Sequence, residues 1–294
     1  MSEDKIVFFD LEFIKDVTTT LIGASVGTIT AVAIYLGTDK KVRLLEKEKS
    51  EQESKNRLLY MGHLLLNFKV KLDDTLISLS NLISDFKSDP IKFHLPVFGI
   101  NESSSLLAEM LKSGETFISH NEHFGAVAVK HYNNLRNEVS FFEIQMNQVL
   151  DMNVRAKDFD FQRKKEFMEI VNYVMRDVTN IFSNENVTEF YKDQLFIFST
   201  KFEERLTDKT DVKMYHDKYL TPLLKMLVTY SHDKNVMVTI SQIKNAMIVY
   251  QHIQLNNQAH LNNLERIYEE MKKLAVELGI DSKHILDMLK LSDA

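Results

Sequence analysis

The sequence predicts an all-α protein: a single N-terminal transmembrane helix, a helical stalk, and a large cytoplasmic helical bundle with coiled-coil seams. Three observations predict it. Only 8 Gly and 3 Pro occur in 294 residues, too few for the turns and bulges of a sheet-rich fold, while Leu, Lys, Glu and Met are plentiful. Between Asp16 and Asp39 lie 22 residues without a charge. Beyond residue 57, apolar residues recur at alternating spacings of three and four, the mark of helices with one buried face. The expected divisions are 1–37 (interfacial segment and span), 38–100 (stalk and helical hairpin region) and 101–294 (cytoplasmic helical domain).

The first element is the uncharged stretch. As a helix, Val17 to Thr38 extends roughly 33 Å, which matches a hydrocarbon core of about 30 Å. A cleaved signal peptide would need a basic start and a shorter apolar core, and this start is acidic. Lys40, Lys41, Arg43, Lys47 and Lys49 crowd the C-terminal flank, so the positive-inside rule puts the C-terminal body in the cytoplasm. Ahead of the span, "IVFFDLEFI" (Ile6 to Ile14) mixes apolar groups with Asp10 and Glu12, as suits an interfacial segment. Its Asp-x-Glu spacing is read as a decoy, because metal-dependent nuclease chemistry needs further carboxylates on a rigid scaffold.

The span is not plain leucine. At 100° per residue, Asp16, Thr19, Thr20, Gly23, Gly27 and Thr30 fall on one small, polar stripe, and Gly23 and Gly27 form a G-x-x-x-G, the spacing that lets helix backbones approach in lipid. A polar stripe in a membrane helix is best tolerated facing a bundle interior or a water path, so several copies are expected around a narrow pore. The plainer alternative is that each threonine hydroxyl bonds the carbonyl four residues back.

Next, "TDKKVRLLEKEKSEQESKNR" (Thr38 to Arg57) places acids and bases three and four apart, a solvated helical stalk. Leu58, Met61, Leu65, Phe68, Leu72, Thr75, Leu79, Leu82 and Phe86 then form a seam for a parallel neighbour or for the chain's own domain. "KSDPIKFHLPVFGINESSS" (Lys87 to Ser105) breaks it. Helical text returns from about Ser105 to Leu206, with breaks expected near Lys112–Thr116, Asn153–Phe159 and Ser183–Phe190, and another helix after "TDKTD" (Thr207 to Asp211). The last and longest helix carries a seam of Val236, Ile240, Ile243, Met247, Tyr250, Gln254, Asn257, Leu261, Leu264, Tyr268, Met271, Ala275 and Leu278. Gln254 and Asn257 stand inside it as register specifiers or as a polar pocket on an oligomer axis.

Function classes narrow by elimination. With no cysteine, disulfides, thiolate zinc sites and a cysteine nucleophile are excluded. The net charge of −6, half of it in the first 36 residues, leaves no global field for phosphates, so any nucleic-acid site must be a local patch. No phosphate-binding glycine loop, nucleophile elbow or H-E-x-x-H occurs. "SHNEH" offers His120, Glu122 and His123, too few ligands for zinc. No enzyme and no cofactor is expected. "RAKDFDFQRKK" interleaves Arg155, Lys157, Arg163, Lys164 and Lys165 with Phe159 and Phe161, the residue types that grip phosphates and stack bases. The plainer alternative is a charged turn with both phenylalanines tucked inward.

The layout of residues 1–60, a small-residue span with acidic outer and basic inner flanks and a charged stalk, followed by an all-helical body, resembles bacterial anti-phage membrane effectors that act by abortive infection. Among these it looks most like the channel effector of Hailong defence, which is paired with a nucleotidyltransferase. The resemblance implies an inner-membrane, single-pass homotetramer with a channel domain. It also implies a cytoplasmic sensor that binds a single-stranded DNA oligomer or nucleotide signal made by the partner enzyme. The lack of overall basic charge departs from that pattern. The ligand positions expected are Arg155, Lys157, Phe159, Arg163, Lys164, Lys165, Gln254 and Asn257. A membrane-tethered scaffold or receptor, with the span as anchor only, is the alternative.

Overall fold

A computed structural model describes residues 11–96, 98, 102–183, 185 and 187–290. It is all-α, with no strand among the described residues. Eight helices follow one another there: α1 (Leu11–Ser88), α2 (Glu102–Lys112), α3 (Gly114–Phe124), α4 (Val129–Phe182), α5 (Glu189–Arg205), α6 (Val212–Met214), α7 (Thr221–Val228) and α8 (Lys234–Met288). A π-helical turn, Tyr215–Leu220, joins α6 to α7. The chain divides into two compact units, Met1–Tyr60 and Met61–Ala294.

Within the first unit the described chain is α-helical. Every side chain from Ala24 to Thr38 is exposed, including Ile29, Ile34, Tyr35 and Leu36 at 59–71% of full exposure. From Asp39 on, the expected solvated pairs form: Arg43 with Asp39 (2.9 Å), Lys47 with Glu51 (3.8 Å) and Lys49 with Glu53 (3.9 Å). Such exposed pairs contribute only a few tenths of a kcal/mol each, enough to favour helix locally but not to hold a tertiary contact.

The second unit is built on the antiparallel pair α4 and α8, the most extensive helix contact in the fold. Phe167, Val171, Val174, Val178 and Ile181 of α4 meet Val236, Ile240, Ile243 and Ile253 of α8, with Leu195 of α5 and Leu220, Leu223 and Leu227 around α7 completing one core. Fully burying such side chains contributes about 1.5–3 kcal/mol each. At the other end of the pair the C-terminal part of α1 forms a third helix. Its whole predicted seam from Met61 to Phe86 is buried, with Phe68 edge-on to Phe142 (5.0 Å) and Lys87 bridging Glu265 (2.6 Å). The seam therefore packs on its own unit.

Polar layers set the α4–α8 register. Glu138 meets Asp281, Gln145 Nε2 donates to Glu270 (3.0 Å), Asn153 pairs with His260 (2.8 Å), and Asp160 accepts from Asn257 (3.3 Å). A one-turn slip would strand all four, which is how buried polar contacts specify pairing.

Local chemistry places the ends. Pro90 cannot continue α1, and the Asp89 carboxylate turns the chain by accepting from the Ile91 and Lys92 amides (3.3 Å each). Gly125 follows α3 with φ +77°, a conformation that other residues rarely adopt, and its amide donates to Asn121 O (2.9 Å). Asp211 caps α6 and Asp233 caps α8 through backbone amides. Two expectations need correction. The predicted break at Asn153–Phe159 is absent: α4 runs straight through, because Asn153, Ala156 and Asp160 repeat on its buried face. The alternate position of each α8 repeat also differs from the predicted seam: Ala246, Ile253, His260, Ile267 and Leu274 are buried, so that Ile253 faces the core and Gln254 faces solvent. The alternation of three and four persists, but the buried stripe is rotated slightly about the helix because, among the described residues, α4 supplies partners for Asn257 and His260 and none for Gln254.

Candidate functional site

The α1 stripe comes first. The helical backbone puts Asp16, Thr19, Thr20, Gly27 and Thr30 on one face, while the surroundings of Gly23 lie outside the described residues. The hydroxyls of Thr19, Thr20 and Thr30 donate to the carbonyls four residues back, at 2.7, 2.8 and 2.8 Å. Their donors are used and their oxygen lone pairs point outward. A side chain at Gly27 would meet nothing within 4 Å. The interfacial segment before residue 11, with Asp10 of its decoy pair, also lies outside the described residues, as does the side chain of Glu12. Among the described residues no helix is long and apolar enough to cross a membrane; the side chains of Val17, Thr18, Leu21, Ile22 and Gly23, part of the expected span, are not described.

The basic stretch of α4 is largely compensated. Arg163 pairs with Glu166 (2.6 Å) and lies over the Phe159 ring (5.1 Å), Lys164 pairs with Asp160 (2.8 Å), and Lys165 reaches Glu169 (4.0 Å). Arg155 and Lys157 are exposed and pair with no carboxylate among the described residues. Contrary to the tucked-in alternative, both phenylalanines face out: Phe161 is 63% exposed. Gln254 and Asn257 do not act together. Asn257, 1% exposed, donates through Nδ2 to Pro90 O (3.0 Å) and to Asp160 Oδ1 (3.3 Å), which ties α8 to α4 and to the turn after α1.

These ties border a groove of about 640 Å³. One wall is the turn after α1, with Asp89, Ile91 and Lys92; the second is α4, with Phe161, Lys164, Lys165 and Met168; the third is the loop into α6, from Asp208 to Lys213. Its three aspartates are engaged in shaping their own turns. Asp89 holds the Ile91 and Lys92 amides, Asp208 Oδ1 accepts from the Thr210 amide (2.8 Å) and hydroxyl (2.7 Å), and Asp211 accepts from the Met214 amide (2.9 Å). The Thr210 bonds hold the Asp208 carboxyl below its usual range. Lys92 and Lys213 pair with no carboxylate among the described residues. Four lysines face three aspartates, so the groove is nearly balanced; the aspartates are held in turns, and Lys164 and Lys165 also pair with Asp160 and Glu169.

Neither family models, curated proteins nor solved structures provide a significant match to the chain.

A second polar cluster lies where α3, α4 and α8 meet. His131 Nδ1 pairs with Asp281 Oδ1 (2.5 Å), His284 lies against His131 (ring centroids 4.2 Å), and His120 is fully buried beside Tyr132. Burial pushes Glu138 up to about 8, helped by its bond to Asp281; burial would also raise Asp281, but the bonds from His131, Glu138 and Asn134 hold it below the usual range. Burial lowers His120 to about 4, with charge repulsion from neighbouring histidines adding to it. Among the described residues no group of three or more His, Asp or Glu could hold a metal ion.

Sequence reading missed Lys92, Lys213 and the Asp208–Asp211 turn as groove residues. The signal was present in "DPIKFH" and "TDKTDVK", where a lysine follows a capping aspartate, but both stretches read only as breaks between helices.

Proposed function

We propose that this chain is a homo-oligomeric membrane effector of bacterial anti-phage defence. Residues 17–38 cross the inner membrane and line an ion channel, and the cytoplasmic helical unit gates it by binding a nucleotide or DNA oligomer signal. The observation that carries this reading is the helix from Ala24 to Leu36, uncharged and exposed on every side. Water does not stabilise that arrangement, whereas lipid and neighbouring copies would. Copies meeting along Gly27 would bring the outward lone pairs of Thr20 and Thr30 to one axis, a lining suited to cations.

The groove is the proposed ligand site in place of the Arg155–Lys165 surface alone. Phe161 offers a face for a base, and Lys92, Lys165 and Lys213 offer donors to phosphates. The deciding experiment is ion flux from liposomes holding the purified chain. Flux that disappears when Thr20, Gly23 and Gly27 are all changed to leucine supports the channel; sealed liposomes with and without nucleotide signals refute it. The alternative, a tethered scaffold, draws on the compensated charge of the α4 surface, which suits protein contact better than nucleic acid. Exchanging the span for an unrelated apolar helix should spare a scaffold's activity and abolish a channel's.

A further inference from the structure

The turn after α1 does two things at once. As a wall it lines the groove through Asp89, Ile91 and Lys92. As an anchor it is fastened to the unit's interior: Pro90 O accepts from Asn257, Ile91 is buried in the α4–α8 core, and Phe93 stacks on His260 (5.9 Å, 22°). His94 folds back to Asp89 O (3.2 Å), and Phe86 in the last turns of α1 meets Phe93, His94 and His260 edge-on. Asp89 to His94 therefore forms a strap between the end of α1 and the α4–α8 pair.

The strap and the groove also share one ammonium. Lys164 lines the groove, yet its Nζ neutralises Asp160, whose side chain is only 6% exposed. The other Asp160 oxygen accepts from the Asn257 amide that holds Pro90. An oxyanion entering the groove competes for Lys164. A buried carboxylate deprived of its counter-charge draws harder on its remaining donor, because in a low-dielectric site no water replaces the lost partner. The Asn257 amide then shifts toward Asp160 and away from the Pro90 carbonyl.

We infer that Asp89–His94 is a ligand-sensitive strap: an anion in the groove recruits Lys164 and, through Asp160 and Asn257, loosens the anchor that holds the end of α1. This rests on the groove taking an anionic ligand, as proposed above, and adds how its occupancy reaches α1. Because linkage is reciprocal, loosening the strap by mutation must tighten anion binding.

The test uses the full chain in detergent with inorganic pyrophosphate as probe, binding being followed by calorimetry and the strap by hydrogen–deuterium exchange of the peptide covering Phe86–His94. The expected result is binding, with exchange at Ile91 to His94 raised roughly 5- to 10-fold. Lys164→Gln should weaken binding and remove the exchange response, and Phe93→Ala, which removes the strap's stacking on His260 and leaves the Asn257–Asp160–Lys164 chain intact, should raise strap exchange without ligand and tighten binding several-fold. Pyrophosphate that binds while strap exchange stays level or falls overturns the strap and leaves the groove standing. Absence of binding at 10 mM overturns the groove reading and the strap with it. Should Phe93→Ala not fold, the native chain and Lys164→Gln decide alone.

Discussion

Among single residues, Asn257 concentrates the most consequence. It is buried, and one amide serves a carbonyl and a carboxylate from two other elements. Replacing it with alanine should cost about 1–3 kcal/mol, because the buried Asp160 Oδ1 loses its donor and the carboxylate keeps only Lys164 on its other oxygen, and the urea midpoint should fall accordingly. A loss below about 0.5 kcal/mol would mean water fills the gap. The titrating groups set a pH optimum. Glu138, pushed up to about 8, binds a proton in the folded state that the unfolded chain has released above 4.5, so its contribution is lost as pH rises through 8. His120 and His260, both lowered to about 4 chiefly by burial, act oppositely, with stability lost as pH falls from 6.5 through 4. Two histidines against one carboxyl put the optimum near pH 6.5. Chemical denaturation across pH 4 to 9 should show it, and Glu138→Gln should flatten the alkaline limb between pH 6.5 and 8 and steepen the acid limb, where the Glu138 proton opposes the two histidines.

Among elements, α1 joins two environments in one helix. Its C-terminal seam was legible because every third or fourth residue from Met61 to Phe86 except Thr75 is apolar, and each one is buried. From Ala24 to Thr38 burial shows no such asymmetry, and apolar side chains are exposed on every side. Gly27→Leu is thus expected to leave the second unit's stability unchanged, since nothing lies within 4 Å of the new side chain. In lipid it should reduce self-association at least tenfold, because a bulky side chain parts the backbones. Cross-linking yields and detergent-phase mass measure the effect; an unaltered oligomer would move the interface to another face. The helix α4 shows the converse lesson. Its Asn153–Phe159 stretch looked like a turn, yet Asn153 and Asp160 are polar because α8 supplies His260 and Asn257 opposite them.

At the scale of the molecule, the second unit carries the core and the first has none of its own among the described residues. Helical hydrogen bonds in residues 24–57 gain no burial in a monomer, and long isolated helices in water are marginal. Amide exchange should therefore divide sharply: slow through the buried faces of α4 and α8, and fast in residues 24–57 until lipid or detergent is added. Equal protection of both regions in dilute aqueous buffer would remove the reason for assigning the first unit to a membrane.

Periodicity by itself determined the all-α class, the seam of α1 from Met61 to Phe86 and the long last helix, because a 3.6-residue repeat of burial is written locally in the chain. Charge spacing likewise determined the paired helix after Asp39. Only the tertiary structure decided which polar residues pair between helices and that Lys92, Phe161 and Lys213 border one groove. Those facts depend on contacts between stretches up to 167 residues apart, the separation of Pro90 and Asn257, and no local pattern encodes a partner that distant.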